Sequence, residues 1–284
     1  MMSIMPEAPT EEAVQKFTAF RARRDDSVRG PQGPLALALT HWVLESQQID
    51  GVPGVWAQSE TNGGLTVTAA AADGIIVDGR EVDGTVEVAS RASMAPSSVH
   101  FADGRTAFVI DSSVVGKPGE TEYALRVWDA ERAEHLGFTE IAAFDFDAEW
   151  QLTGTYEQVD GGVAFEHGRS QGDRTDSAVT PGVVRFEHEG QQFELLALPD
   201  GDTLQIVFAD ATTGSETYGV GRFLYARPAA DGSVELDFNR AVVPPCSFSD
   251  QFNCPLPPAS NRFPFAVTAG EKKPMFAESA SDGA

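Results

Sequence analysis

Asp-Gly pairs punctuate this chain at residues 50–51, 73–74, 78–79, 83–84, 103–104, 160–161, 200–201 and 231–232, and an Asn-Gly pair adds 62–63. Both dipeptides favour the tight turns that join antiparallel strands, because glycine accepts positive φ and the short polar side chain bonds nearby backbone. Between them lie short β-branched and aromatic runs, among them residues 65–68, 74–77, 85–88, 106–110, 123–128, 150–156, 183–188, 193–198, 204–208, 221–226 and 234–238. A chain turned this often is mostly β. One helix is signalled at the start: Thr10 is its cap, Glu11 and Glu12 suit its positive end, Arg21, Arg23 and Arg24 its negative end, and Val14, Phe17 and Phe20 form an apolar side. Residues 35–44 carry both helical and strand character.

The expected architecture is an N-terminal helix and a sandwich-like half over residues 1–155, then a second antiparallel β-rich half over 156–274. A disordered tail is expected over 275–284. The boundary is placed where Asp160-Gly161-Gly162 interrupts the pattern, although one continuous core over both halves is compatible with the text.

Charge narrows the partners. The chain has 43 Asp and Glu against 20 Lys and Arg, a formal net charge of −23. Nucleic acid and anionic lipid are both gripped by basic residues, so neither is an expected partner. The acids are spread along the chain and read as a solubility feature, with salt adaptation the lesser reading. Residues 1–12 lack the basic and apolar regions of a leader, and the longest apolar stretch, 35–44, is broken by Thr40 and His41. These features, with only two cysteines, give the expectation of a cytoplasmic protein without a membrane span.

Short motifs are weaker. Gly168-Arg169-Ser170-Gln171-Gly172 fits the G-x-S-x-G pattern, but a hydrolase elbow needs a buried strand before it and an apolar helix after it, and polar residues follow instead. A Ser170–His188 triad with Asp173 or Asp176 is therefore set aside. The five histidines lack zinc spacing, and His167 and His188 read as part of a solvated face; no metal and no cofactor are expected.

The informative region is C-terminal. A long connection from Asp237 contains five prolines before Arg262, and structureless loops of that length are commonly functional. Its polar groups, Asp237, Asn239, Asn261 and Arg262, are candidates for ligand binding, with Tyr218 and Arg222 before them and Glu271 beyond. Arg222 shares a strand face with Leu224 and Ala226, so it points inward and requires a carboxylate, for which Asp237 and Glu271 are the candidates. The ion-pair role outweighs an anion-binding role for Arg222 and Arg262. Cys246 and Cys254 frame the loop as packed thiols, as a bridge formed on oxidation, or as half of a metal site.

As an ordered set, 221–225 (Gly-Arg-Phe-Leu-Tyr), 237–239 (Asp-Phe-Asn), 244–246 (Pro-Pro-Cys), 254–258 (Cys-Pro-Leu-Pro-Pro), Asn261-Arg262 and 269–271 (Ala-Gly-Glu) resemble the bacterial and archaeal domain of unknown function 1684 family. The resemblance runs from about residue 15 to 274 and includes Arg126-Val127-Trp128-Asp129. Val242-Val243 stands where family members carry Tyr-Asn, which removes polar groups from the candidate site. The resemblance also implies a forkhead-associated type of sandwich in the N-terminal half, but Ser97 to His100 follow the Asp78-Gly79 turn they should precede, so phosphothreonine reading is not implied.

Two functions follow as expectations. One is a binding or scaffold module with a small-ligand or anion cleft in the C-terminal half. The other is an enzyme using Asp237 or Glu271 as acid or base with Arg222 and Tyr218. Neither sets an oligomeric state.

Overall fold

The computed structural model describes residues 10–61, 63–113, 120–172 and 175–277. Asn62, Asp173, residues 1–9, where no leader is expected, and residues 278–284 of the expected tail lie outside them. The chain is mostly β, with one long N-terminal helix and several antiparallel sheets. It divides into two compact units, one made of residues 28–136 and the other of residues 1–27 with 137–284.

Within residues 28–136 the strands are β1 (Leu37–Trp42), β2 (Gln47–Ile49), β3 (Val52–Gln58), β4 (Gly64–Ala69), β5 (Ile76–Val77), β6 (Arg80–Glu81), β7 (Gly84–Ala89), β8 (Val99–His100), β9 (Thr106–Ser113) and β10 (Thr121–Trp128). They make a six-stranded sheet in the order β1-β10-β9-β8-β5-β6 and a four-stranded sheet in the order β2-β3-β4-β7. Trp56, Leu65 and Val67 from the smaller sheet share one core with Val99, Val109, Leu125 and Val127 from the larger, which is sandwich packing. The ambiguous stretch at 35–44 resolves into a 3-10 turn, Pro34–Ala36, followed by β1. Ser97 is buried, and its hydroxyl accepts from the Ala89 amide, a structural use of that side chain.

The other unit opens with α1 (Glu11–Arg29). The Ala13 amide donates to the Thr10 hydroxyl at 3.2 Å, the expected cap. Its strands are β11 (Phe138–Ala143), β12 (Gln151–Gly168), β13 (Thr175–His188), β14 (Gln191–Leu195), β15 (Leu198–Asp200), β16 (Thr203–Phe208), β17 (Arg222–Ala226), β18 (Ser233–Asp237) and β19 (Glu271–Phe276). They form sheets in the orders β14-β13-β12-β18, β15-β16-β17 and β11-β19. Val184, Phe186, Ile206, Phe208, Leu224, Leu236 and Phe238 join Phe263 in one core. Phe208 and Phe263 each meet Phe238 edge-on, with centroids 5.4 and 6.1 Å away.

Three sequence expectations take a different form here. Residues 155–160 lie inside β12, and Gly161 and Gly162, at φ 80° and 72°, make an irregularity in its pairing with β13 between Gln158 and Val163. The Asp-Gly-Gly signal therefore marks a bulge within a long hairpin. Residues 175–181, among the polar residues that follow Ser170, belong to β13 rather than to a loop. At the far end, Met275 and Phe276 pair with Glu140 and Phe138 as part of β19, because the Phe138 and Phe276 rings pack 5.8 Å apart. No helix among the described residues is long and apolar enough to cross a membrane.

Candidate functional site

The polar centre of the helix-bearing unit begins at Arg222, the first residue of β17. Its side chain is 0% exposed. One guanidinium nitrogen, Nη2, donates to Asp210 Oδ2 at 2.5 Å and to the Val267 carbonyl at 2.9 Å, and Nη1 donates to the Ala269 carbonyl. Burial pulls the guanidinium below the ordinary arginine range, while the Asp210 charge opposes that shift. The carboxylate partner is thus Asp210 rather than Asp237 or Glu271, because the turn after β16 folds Asp210 back beside β17.

Glu271 opens β19 and has a different commitment. Its Oε1 accepts from Arg21 Nη1 at 2.9 Å and Arg24 Nε at 3.0 Å, and its Oε2 accepts from the Val243 amide at 2.8 Å. Arg21 and Arg24 stand one turn apart on α1, so a single fully buried carboxylate ties the helix to the sheet edge. Gly270, at φ 78°, makes the close turn into this position; a Cβ there would stand 2.7 Å from the carbonyls of Phe238 and Ala241. Val243, one of the two residues replacing Tyr-Asn, contributes through its main chain, which also accepts from Arg24.

The two asparagines act alike. The Asn261 side-chain oxygen accepts from the Leu196 amide at 3.0 Å, and its nitrogen donates to the Leu196 and Val207 carbonyls at 2.7 and 2.9 Å. Asn239 does the same at Asp147, accepting from its amide and donating to its carbonyl, each at 2.9 Å. Each side-chain amide imitates a peptide group and satisfies both main-chain groups of one distant residue. Arg262 is exposed and donates to the Pro257 carbonyl at 3.1 Å.

Asp237 is the sequence candidate that reaches an open site. It caps the 3-10 turn Phe238–Arg240 by accepting from the Asn239 amide at 3.1 Å, and it lines a cleft of about 530 Å³. The cleft lies under the first turns of α1, where Phe17 packs on Phe146 at 5.6 Å. Lys16, Arg23 and Arg240 supply positive charge to its walls, and Glu12, Glu235 and Asp237 supply negative charge. Lys16 is paired with Glu12 at 2.7 Å, whereas Arg23 and Arg240 have no ion-pair partner among the described residues. Arg240 rests over the Phe20 ring, 5.2 Å from its centroid. Sequence reasoning missed Arg23 as a wall residue and Arg240 altogether; only the placement of α1 brings them together.

Elsewhere the seven candidates do not converge. Tyr218 donates to the Cys246 carbonyl at 3.0 Å, and both Cys246 and Cys254 are free thiols. His167 is 6% exposed instead of solvated, its ring against the Gly168 carbonyl, and His188 stacks on Trp150 at 5.1 Å and lies tilted against Phe265 at 4.4 Å. Aromatic neighbours thus hold the histidine that a triad would need. No group of three His, Cys, Asp or Glu able to hold a metal occurs among the described residues.

Fold and site together define a mostly-β protein in which α1 is clamped to the second unit's sheets by buried arginine–carboxylate contacts. Residues 136–272 match the family described as Protein of unknown function (DUF1684), a stretch that contains all seven candidates and both cysteines. The chain belongs to that family. It is also similar to an uncharacterized protein of Haloarcula marismortui solved by solution NMR, with 33% identity over 50% of this chain and 80% of that chain, at a TM-score of 0.40. Among curated proteins nothing matches the chain.

Proposed function

We propose that this protein is a binding module that holds a small ligand bearing a carboxylate or a comparable anion in the cleft beneath α1. The observation that carries this reading is the pair of exposed guanidiniums, Arg23 and Arg240, on the cleft wall without ion-pair partners among the described residues. In a chain of net charge −23, free positive charge in a concave site is an asymmetry that an anionic group would satisfy. The cleft falls within the roughly 300–1,000 Å³ typical of small-molecule sites. Phe17 and Phe146 offer an apolar wall, and Asp237 a hydrogen-bond acceptor for a donor elsewhere on the ligand.

The enzyme reading has less support. Glu271 and both terminal guanidinium nitrogens of Arg222 are bonded inside the protein, which removes them from contact with a substrate, and Tyr218 is turned to Cys246.

A thermal-shift series with millimolar succinate, citrate and inorganic phosphate tests the proposal, since a ligand of the folded state raises Tm by mass action. At least one anion should raise Tm. Arg23→Gln with Arg240→Gln should abolish the shift, and Arg262→Gln should keep it. No shift with any of the three, or a shift that survives the double variant, overturns the cleft assignment.

A further inference from the structure

The set-aside G-x-S-x-G turn and the proline-rich loop meet around the two thiols. Ser170 donates its amide to the Cys254 carbonyl at 2.8 Å, and the Cys254 amide donates to the Ser170 hydroxyl at 2.8 Å. The Leu256 amide donates a hydrogen bond to the Gly168 carbonyl at 2.9 Å. Across the loop, the Cys246 amide donates to Cys254 Sγ at 3.4 Å. Val207, Phe223 and Val242 form an apolar floor, with Phe20 and Phe252 beside it.

The two cysteines are unequal. Cys246 is partly exposed on the 3-10 turn Pro245–Ser247, whereas Cys254 is 3% exposed. A hydrogen bond from the Cys254 thiol, supported by the Ser170 and Tyr218 hydroxyls, outweighs burial and lowers the Cys246 pKa to about 7. Cys254 is pushed the other way, because it holds the shared proton and is itself buried. The result is a partly exposed thiol that ionises more readily than usual, beside a buried thiol that holds its proton more tightly.

We propose that Cys246 and Cys254 are a reversible redox-modification site, in which Cys246 is oxidised by a hydroperoxide and Cys254 closes the disulfide. The Cys246 thiolate attacks the terminal peroxide oxygen, an S–O bond forms as the O–O bond breaks, and the alcohol or water leaves after taking a proton. Sulfur has then given up two electrons. The Cys254 sulfur, losing its proton, attacks the Cys246 sulfur; the S–S bond forms, the S–O bond breaks, and hydroxide leaves with that proton as water. In sum, two thiols and one hydroperoxide give one disulfide, one alcohol and one water, and a small-molecule dithiol reverses the change. Packing of two inert thiols would need no such inequality in access, and a metal would need further ligands.

Peptide mapping of the pre-reduced full chain after treatment with equimolar hydrogen peroxide tests the site. A 246–254 cross-link that dithiothreitol removes is expected, and Cys254→Ser should stop at a sulfenic acid on Cys246 that dimedone captures. Before oxidation, iodoacetamide should label Cys246 at least about ten-fold faster than Cys254 at pH 7, as expected for thiolate character. The labelling midpoint should rise in Tyr218→Phe. If both thiols survive peroxide that consumes a free cysteine standard, or if dimedone labels Cys254 in preference to Cys246 in wild type, the proposal fails; the wild-type measurements hold even where a variant folds poorly.

Discussion

Arg222 and the Arg23–Arg240 pair belong to the same unit and carry the same group, yet their surroundings assign them opposite work. Arg222 sits behind Gly221 with Asp210 and three main-chain carbonyls around it. Arg23 and Arg240 stand in solvent on a cleft wall. A buried guanidinium is costly unless its charge is paired, and Asp210 with the carbonyls takes both terminal nitrogens of Arg222, so burial converts an attractive anion site into a structural pin. Exposure leaves charge available for a ligand at little cost to the fold.

The sharpest way to break this comparison is to strand the buried charge. Asp210→Ala should destabilise the protein by about 3–5 kcal/mol, because Arg222 remains buried without its carboxylate. Urea unfolding measures it, and Arg222→Met combined with Asp210→Ala should recover much of the loss. A mild effect for the single variant would show that water reaches Arg222.

Next in size are the asparagines. Asn261→Ala leaves Leu196 and Val207 main-chain groups without their side-chain partner, at about 1–3 kcal/mol. Unfolding of Asn261→Ala beside Arg262→Ala separates the neighbours: the exposed arginine should cost less than about 0.5 kcal/mol, as surface changes usually do. Equal losses would erase the distinction between buried pin and exposed cation at this corner.

In the cleft, Arg240→Gln should change unfolding free energy by under about 0.5 kcal/mol while removing any anion-dependent rise in Tm. A large loss of stability would make Arg240 a structural residue like Arg222.

The smallest effect is a pH slope. Burial first, then the Cys246 charge, raises the Tyr218 pKa above its ordinary 10.0. The native state therefore keeps a proton that the unfolded chain releases; the associated stability is present below pH 10 and is lost as pH rises through the folded value. Tyr218→Phe should flatten the fall in stability measured by urea unfolding between about pH 9 and 11.

Much of the scaffold was readable. The runs at 106–110, 123–128 and 204–208 became β9, β10 and β16, because alternation and turn chemistry act within a few residues. The Thr10 cap was equally local. By contrast, the Asp160-Gly161-Gly162 signal was ambiguous, since the same positive-φ glycines serve a domain junction or a bulge, and only pairing of β12 with β13 separates them. The candidate site was legible as a set of unusual polar residues, but not as a site. Six of the seven are spent on internal or loop contacts, and Asp237 alone lines the cleft.

The sequence by itself determined the strands, the turns and the inward direction of Arg222, all consequences of neighbouring residues. Tertiary structure decided every partner: Asp210 for Arg222, Arg21 and Arg24 for Glu271, Ser170 for Cys254. Arg21 and Glu271 are 250 positions apart, and electrostatics depends on distance in space, which periodicity along the chain does not encode.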